Sequence, residues 1–161
     1  MIKRLSFLGL AVGFMVAGGI QLIPYGHDRA NPPIRGEPPW DSPATRTLVV
    51  RACFDCHSNE TEWPWYSNIA PFSWVVQNHV DEGRDKLNYS EWPQSQEEAD
   101  ESAETVREGE MPPRDYLFLH AKARLSPTET DTLIKGLTLT FGSGSEGGEE
   151  ERDHDEDDDR D

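Results

Sequence analysis

The two cysteines of the chain lie three positions apart and a histidine follows at once, in the run Cys53-Phe54-Asp55-Cys56-His57. Positions i, i+3 and i+4 of a helix share one face, so both thiols and the imidazole can address one flat ligand. The C-x-x-C-H pattern is the attachment signature of c-type haem. It predicts that Cys53 and Cys56 hold one haem c as thioethers and that His57 is the proximal iron ligand.

Two other chemistries use paired cysteines. A thiol redox pair usually follows a buried strand, and the sequence predicts no such strand before Cys53. A structural zinc site needs four ligands, and the chain has no second cysteine pair. Covalent haem is the favoured interpretation, and the thiol pair, zinc and two inert cysteines packed in a core remain the alternatives.

The second axial position of the iron separates an electron carrier from an enzyme. A methionine sulfur there leaves no room for a substrate, whereas an open position admits small gases or peroxide. Met111, in the stiff loop GEMPP, is the single methionine after the N-terminal apolar stretch and the predicted distal ligand. Met111 could instead cover the ring as an apolar plug. His79 is the alternative distal ligand, and His120 is a weaker one.

Aromatic residues are dense just after the motif, where Trp63, Trp65 and Tyr66 fall within four positions. Flat apolar rings beside a haem keep water off the iron and so tune its reduction potential. We therefore expect these three side chains to wall the haem pocket. An ordinary aromatic core is the other interpretation.

An apolar N-terminal segment precedes everything else. Lys3 and Arg4 come before an uncharged stretch from Leu5 to Ile23, which reaches about 28 Å as a helix. Residues 1–23 are therefore predicted to be a transmembrane anchor, with a cleaved signal peptide as the alternative. The basic pair predicts that the remainder of the chain is exported.

Three further regions follow the anchor. Residues 24–43 are rich in proline and predict a stiff linker that holds the domain away from the membrane. Residues 44–141 predict an all-α domain with long loops, because helix signals recur and alternating strand patterns are missing. The helix starts are predicted at Ser42-Pro43, at Ser73, and at the capping boxes of Ser95 and Ser126. Residues 142–161 predict a disordered acidic tail.

Charge limits the partners. The formal net charge is -16, of which residues 142–161 carry -9, and no segregated basic patch is visible. Such a surface repels a phosphate backbone, which argues against nucleic acid. It favours a redox partner protein with a basic docking face.

These segments together resemble the membrane-anchored bacterial haem-binding domain proteins, distant relatives of the c-type cytochromes. The resemblance covers the apolar stretch up to IQLIP, the NPP spacer, CFDCHSNETEWPWYSNIAPFSW, GRDKLNYSEW and GEMPPRDYLFLHAKARLSPTE. It implies a small helical domain with one covalent haem on Cys53 and Cys56, His57 as proximal ligand and Met111 as distal ligand. The final helix ends in GLTLTFG, where a tryptophan is expected, and the acidic tail is an addition.

The expected function is one-electron transfer by a monohaem c-type cytochrome that is not an enzyme. The resemblance implies a single-pass protein of the bacterial inner membrane with its haem domain in the periplasm or outside. The alternative is a haem-based enzyme or small-ligand sensor with an open or displaceable sixth iron position.

Overall fold

The computed structural model describes residues 2–142 of the chain. Its helices are α1 (Ile2–Ile20), α2 (Pro43–Ala52), α3 (Phe54–His57), α4 (Phe72–Lys86), α5 (Ser102–Arg107), α6 (Arg114–Leu119) and α7 (Pro127–Phe141). Within these residues there is no strand, and one isolated bridge joins Gly36 to Glu91. The prediction of an all-α fold is confirmed. The predicted acidic tail lies, except for its first residue, outside the described residues.

Two helices begin where their capping residues predict. Ser42 precedes α2 and its Oγ accepts a hydrogen bond from the Thr45 amide at 3.2 Å. Before α7, the Ser126 Oγ accepts from the Glu129 amide, and the Glu129 carboxylate accepts from the Ser126 amide at 2.8 Å. Both arrangements satisfy backbone donors that have no partner inside the helix.

The third predicted helix is shorter than expected. The capping box predicted at Ser95 does not start it, and α5 begins only at Ser102. The Gln96 side chain bonds instead to the preceding loop, accepting from the Asn88 amide at 2.8 Å. The segment therefore stabilises its neighbour rather than its own helix. Helix α6 was not predicted at all.

The core lies where α7 packs against α2 and α5, around Leu48, Val49, Leu133 and Leu137. Aromatic rings close its outer end. The Phe141 ring lies 5.0 Å from Trp92, 5.7 Å from Trp40 and 6.1 Å from Tyr89, centroid to centroid. Phe141 thus provides the aromatic packing for which a tryptophan was expected.

The proline-rich segment 24–43 contains a turn at residues 25–26 and otherwise no helix before Pro43, and it lies along the domain and does not stand off as a spacer. The amides of Arg35 and Gly36 donate to the Ser90 carbonyl at 2.8 and 3.2 Å, and the Trp92 amide donates to Gly36. Trp40 packs against the core. The folded unit therefore begins before residue 44, because proline-rich chain still offers carbonyls and apolar rings to a neighbour.

Helix α1 carries exposed apolar side chains, among them Phe7, Leu8, Leu10, Phe14, Met15 and Val16. After α1, backbone hydrogen bonds between residues three positions apart continue as far as Ile23, whose amide donates to the Ile20 carbonyl at 3.3 Å. In the part of the chain that the structure describes, no helix combines the length and apolarity needed to cross a membrane. The transmembrane anchor stays a prediction.

Candidate haem site

The C-x-x-C-H motif occupies the junction between two helices. Cys53 ends α2, and its carbonyl accepts hydrogen bonds from the amides of Cys56 at 3.1 Å and His57 at 2.9 Å. This single turn, α3, brings the two thiols and the imidazole to one cavity. Phe54 is buried on the Tyr89 ring, away from this cavity.

The cavity measures about 440 Å³ and is lined by Cys53, Cys56, His57 and Met111 together. A volume of this order is typical of small-molecule and cofactor sites. Met111 comes from the loop between α5 and α6, far from the motif in sequence. The tertiary structure therefore brings together both predicted iron ligands and both predicted attachment thiols.

The imidazole of His57 is oriented for ligation. Its Nδ1 lies 3.1 Å from the Leu87 carbonyl, to which it donates, so Nε2 keeps a free lone pair. Burial lowers the pKa of His57, although the Leu87 carbonyl opposes this shift. A neutral imidazole with a fixed tautomer is the form that binds a metal.

Both cysteines are free thiols. Burial raises the pKa of Cys53 to about 12 and that of Cys56 to about 12, and the nearby Asp55 carboxylate raises the latter further. Reactive redox cysteines have the opposite property, a pKa lowered below the usual value. The environment therefore does not favour the thiol redox alternative.

Helix α4 presses directly on the motif. A Cβ atom at Gly83 would lie 2.5 Å from the Cys56 carbonyl oxygen, so only glycine allows this approach. The next residue, Arg84, donates to the Ser58 carbonyl at 2.8 Å and to the Thr61 hydroxyl at 3.0 Å. Arg84 thereby ties α4 to the chain that leaves the motif.

The loop that carries Met111 is held by fewer hydrogen bonds than the C-x-x-C-H turn. Its Glu110 and Met111 amides both donate to the Thr105 carbonyl, at 3.0 and 3.1 Å. Gly109 turns the chain with a φ of 74°, which favours glycine. Met111 is partly buried against the core.

Acidic side chains surround the cavity. Glu82, Glu98, Glu101 and Glu110 line it beside a single lysine, Lys86. The Lys86 ammonium lies 3.8 Å from the Glu98 carboxylate. The cavity therefore has an acidic rim.

The three predicted aromatic residues are not on the wall of this cavity. Trp65 is 77% exposed, and neither it nor Trp63 lines the cavity. Tyr66 lines a second, neighbouring cavity of about 270 Å³. These placements differ from the expectation that the rings would wall the haem, because the turn after the motif directs them to another face.

The two rival histidines have other partners. His79 lines both cavities, and its Nε2 lies 3.7 Å from the Asp115 carboxylate. His120 lines only the second, where its Nε2 accepts from the Tyr66 hydroxyl at 3.1 Å. Of these two histidines, His79 alone reaches the cavity that holds His57.

Sequence reasoning missed Tyr116. It lines both cavities, and its hydroxyl donates to the Asp55 carboxylate at 2.7 Å, joining α6 to the motif. Burial raises the pKa of Tyr116, and the bond to Asp55 raises it further. Helix α6 has no buried residue, so the sequence held no periodic signal for it.

These residues fit a haem. The cavity supplies two thiols, a histidine with a free Nε2 and a thioether sulfur, which is the donor set of a c-type site with histidine and methionine ligands. Among residues 2–142, no group of three or more His, Cys, Asp or Glu side chains is arranged to hold a metal ion.

Comparison with curated proteins and with solved structures gave no match for this chain. Comparison with known families matches residues 15–138 to the haem-binding domain. That region is most of the chain and contains the whole cavity. The chain therefore belongs to the haem-binding domain family.

Proposed function

We propose that this protein is a monohaem c-type cytochrome that transfers single electrons. The observation that carries the proposal is the joining of Cys53, Cys56, His57 and Met111 in one cavity, although 53 residues separate His57 from Met111. A haem bound here would supply one-electron exchange between Fe(II) and Fe(III).

Different residues are proposed to attach the haem and to bind its iron. Cys53 and Cys56 would hold the group covalently, and the Leu87 carbonyl keeps the His57 Nε2 free for iron. Met111 is the proposed distal ligand. A haem iron held by both His57 and Met111 would leave no position for a substrate, so the proposed protein is a carrier and not an enzyme.

The acidic rim supports a redox partner with a basic docking face. Complementary charge steers encounter and weakens as salt rises. Residues 81–110, which supply most of the rim, carry a formal net charge of -8.

We further propose that the protein works at the outer face of a bacterial inner membrane, anchored through a single pass of the stretch Leu5–Ile23. The apolar side chains at positions 7, 8, 10 and 16 point in different directions around a helix of about 3.6 residues per turn. A helix that is apolar all round suits lipid. Retention of the full chain in membranes after alkaline carbonate washing is the expected result, and its release would contradict the anchor.

The central test is expression with export in a host that attaches haem to proteins. The intact mass of the wild type should include one haem, and its absorption should be that of a low-spin iron that resists cyanide and CO. The double variant Cys53→Ala/Cys56→Ala should lack the added mass.

Two variants provide the matched comparison for the iron ligand. His57→Gln should lose the low-spin spectrum, whereas His120→Gln, in the second cavity, should keep it. A colourless wild type would contradict haem binding altogether. A high-spin wild type that binds CO readily would instead establish the sensor or enzyme.

A further inference from the structure

An apolar patch lies outside the haem cavity and is formed by Trp65, Ile69, Phe72, Val75, Phe118 and Leu119. All six side chains are exposed; Trp65 is 77% and Phe118 78% accessible to solvent. Isolated exposed apolar residues are ordinary, but a contiguous group of large ones marks an interaction surface.

Contacts or a shared cavity link four of the six residues, Trp65, Phe72, Val75 and Leu119, across the turn at residues 65–68 and helices α4 and α6. Tyr66 joins them: its ring lies 5.8 Å from Trp65 and 6.4 Å from Phe72, and its hydroxyl bonds to His120, next to Leu119. Phe72, Val75 and Leu119 also border the second cavity. That cavity therefore opens within the patch.

The end of α1 lies at the edge of this patch. The Gln21 side chain donates to the Ala70 carbonyl and accepts from the Ala70 amide, both at 3.0 Å. Ala70 stands between Ile69 and Phe72. The apolar helix and the patch are thus joined without an intervening spacer.

Charge is distributed unevenly along α4. Residues 63–80 contain no Lys, Arg, Asp or Glu, and residues 111–124 carry a net charge of +2. The acidic residues 81–110 begin in the second half of α4, whose last residue is about 21 Å along the axis from Phe72. The segments that supply the patch are therefore not acidic in sum, although the carboxylates of Asp55, Glu62 and Asp115 line the cavity that opens within it.

Two arginines lie beside the patch. Arg124 donates to the carbonyls of Leu117 at 3.0 Å and Phe118 at 3.5 Å. Arg29 bonds to the Asn68 side chain, which in turn donates to the Trp65 carbonyl. Apolar and aromatic rings flanked by guanidinium groups are the pattern of a surface that enters the headgroup region of a bilayer.

We propose that the apolar patch rests in the interface of a phospholipid membrane. This inference rests on the membrane location proposed above. The hydrogen bonds between Gln21 and Ala70 place the patch next to the apolar helix, which favours lipid as its partner.

Lipid photolabelling tests the contact. The haem-loaded full chain is reconstituted in vesicles of phosphatidylethanolamine and phosphatidylglycerol that contain a phospholipid with a diazirine near the glycerol end of its acyl chain. After illumination, adducts are mapped by peptide mass spectrometry. We expect adducts in α1 and in residues 63–75 and 114–124, and none in residues 94–110.

Matched variants identify the side chains. Trp65→Ser/Phe118→Ser should lower labelling of the patch at least threefold, whereas Leu139→Ser, which removes another exposed apolar side chain, should leave it unchanged. Adducts confined to α1 would overturn the inference while leaving the anchor intact. Absorbance of the same sample reports haem loading, so a failure of haem binding is recognised separately.

Discussion

Two parts of the haem cavity differ in how firmly the rest of the chain holds them. Helix α4 covers the Cys53–His57 turn at Gly83. The Leu87 carbonyl accepts a hydrogen bond from His57, and Arg84 donates one to the Ser58 carbonyl just after the turn. The Met111 loop makes two backbone hydrogen bonds to the Thr105 carbonyl, and the helix that follows it has no buried residue. The difference indicates a rigid side at the proposed attachment thiols and a more adjustable side at the proposed distal ligand.

The largest effect should come from the glycine against the turn. In Gly83→Ala the new methyl group overlaps the Cys56 carbonyl, which belongs to the backbone and moves only with the motif. We expect a loss of about 3 kcal/mol in the free energy of unfolding, since overpacking in a tight contact carries that order of cost. Denaturant unfolding of the haem-loaded chain measures it, together with the yield of haem-loaded protein.

Gly109→Ala in the loop is the matched control. Its new Cβ would meet no atom within 4 Å, and only the positive φ opposes it. The expected cost is about 1 kcal/mol. Equal losses for the two variants would contradict the proposed difference between the two sides.

A smaller loss is expected for Arg84→Gln, because the guanidinium bonds to Ser58 and Thr61 disappear. Hydrogen bonds from a charged group are worth about 2 kcal/mol in all at a half-buried position. Thermal unfolding should show a lower Tm, whereas Arg107→Gln, an exposed change in α5, should leave Tm within error. No change in Arg84→Gln would mean that α4 is held by packing alone.

On the adjustable side, Met111→Ala should alter the iron more than the fold. Because the Met111 side chain is only partly buried, we expect the free energy of unfolding to fall by about 1 kcal/mol. The low-spin spectrum should be lost, and the iron should bind CO. Met111→Leu keeps the apolar volume and removes the sulfur, so it should change the spectrum with still less loss of stability. An unchanged spectrum in both variants would make Met111 a cover and leave His79 to be tested.

The smallest effect concerns pH and lies away from both sides, at the start of α7. The Ser126 amide, and next the Arg51 guanidinium, lower the pKa of Glu129 to about 2 from 4.5. The stabilisation is complete above pH 4.5 and is lost as the pH falls towards 2, because protonation ends both contacts. When the free energy of unfolding is measured between pH 5 and pH 2, Glu129→Gln should reduce its decrease with falling pH. Asp131→Asn on the same helix should leave that decrease unchanged.

The agreement between sequence and structure depends on the range of the contact. Ser42 and Ser126 cap their helices as predicted because capping involves residues three positions apart. Ser95 fails because Gln96 bonds to the loop of Asn88, a contact between segments that no local pattern specifies. Trp63, Trp65 and Tyr66 were expected at the haem because they follow the motif closely in sequence. None of them lines the haem cavity, so closeness in sequence did not predict their position.

The sequence alone predicted the proposed attachment chemistry, because two thiols and an imidazole spaced for one helical turn need no distant residue to be recognised. Only the tertiary structure decided that Met111 shares their cavity, that Tyr116 and Arg84 join other elements to the motif, and that segment 24–43 lies on the domain. These arrangements depend on chain segments that meet after folding. Their side chains become neighbours through packing, which leaves no periodic signature in the order of the residues.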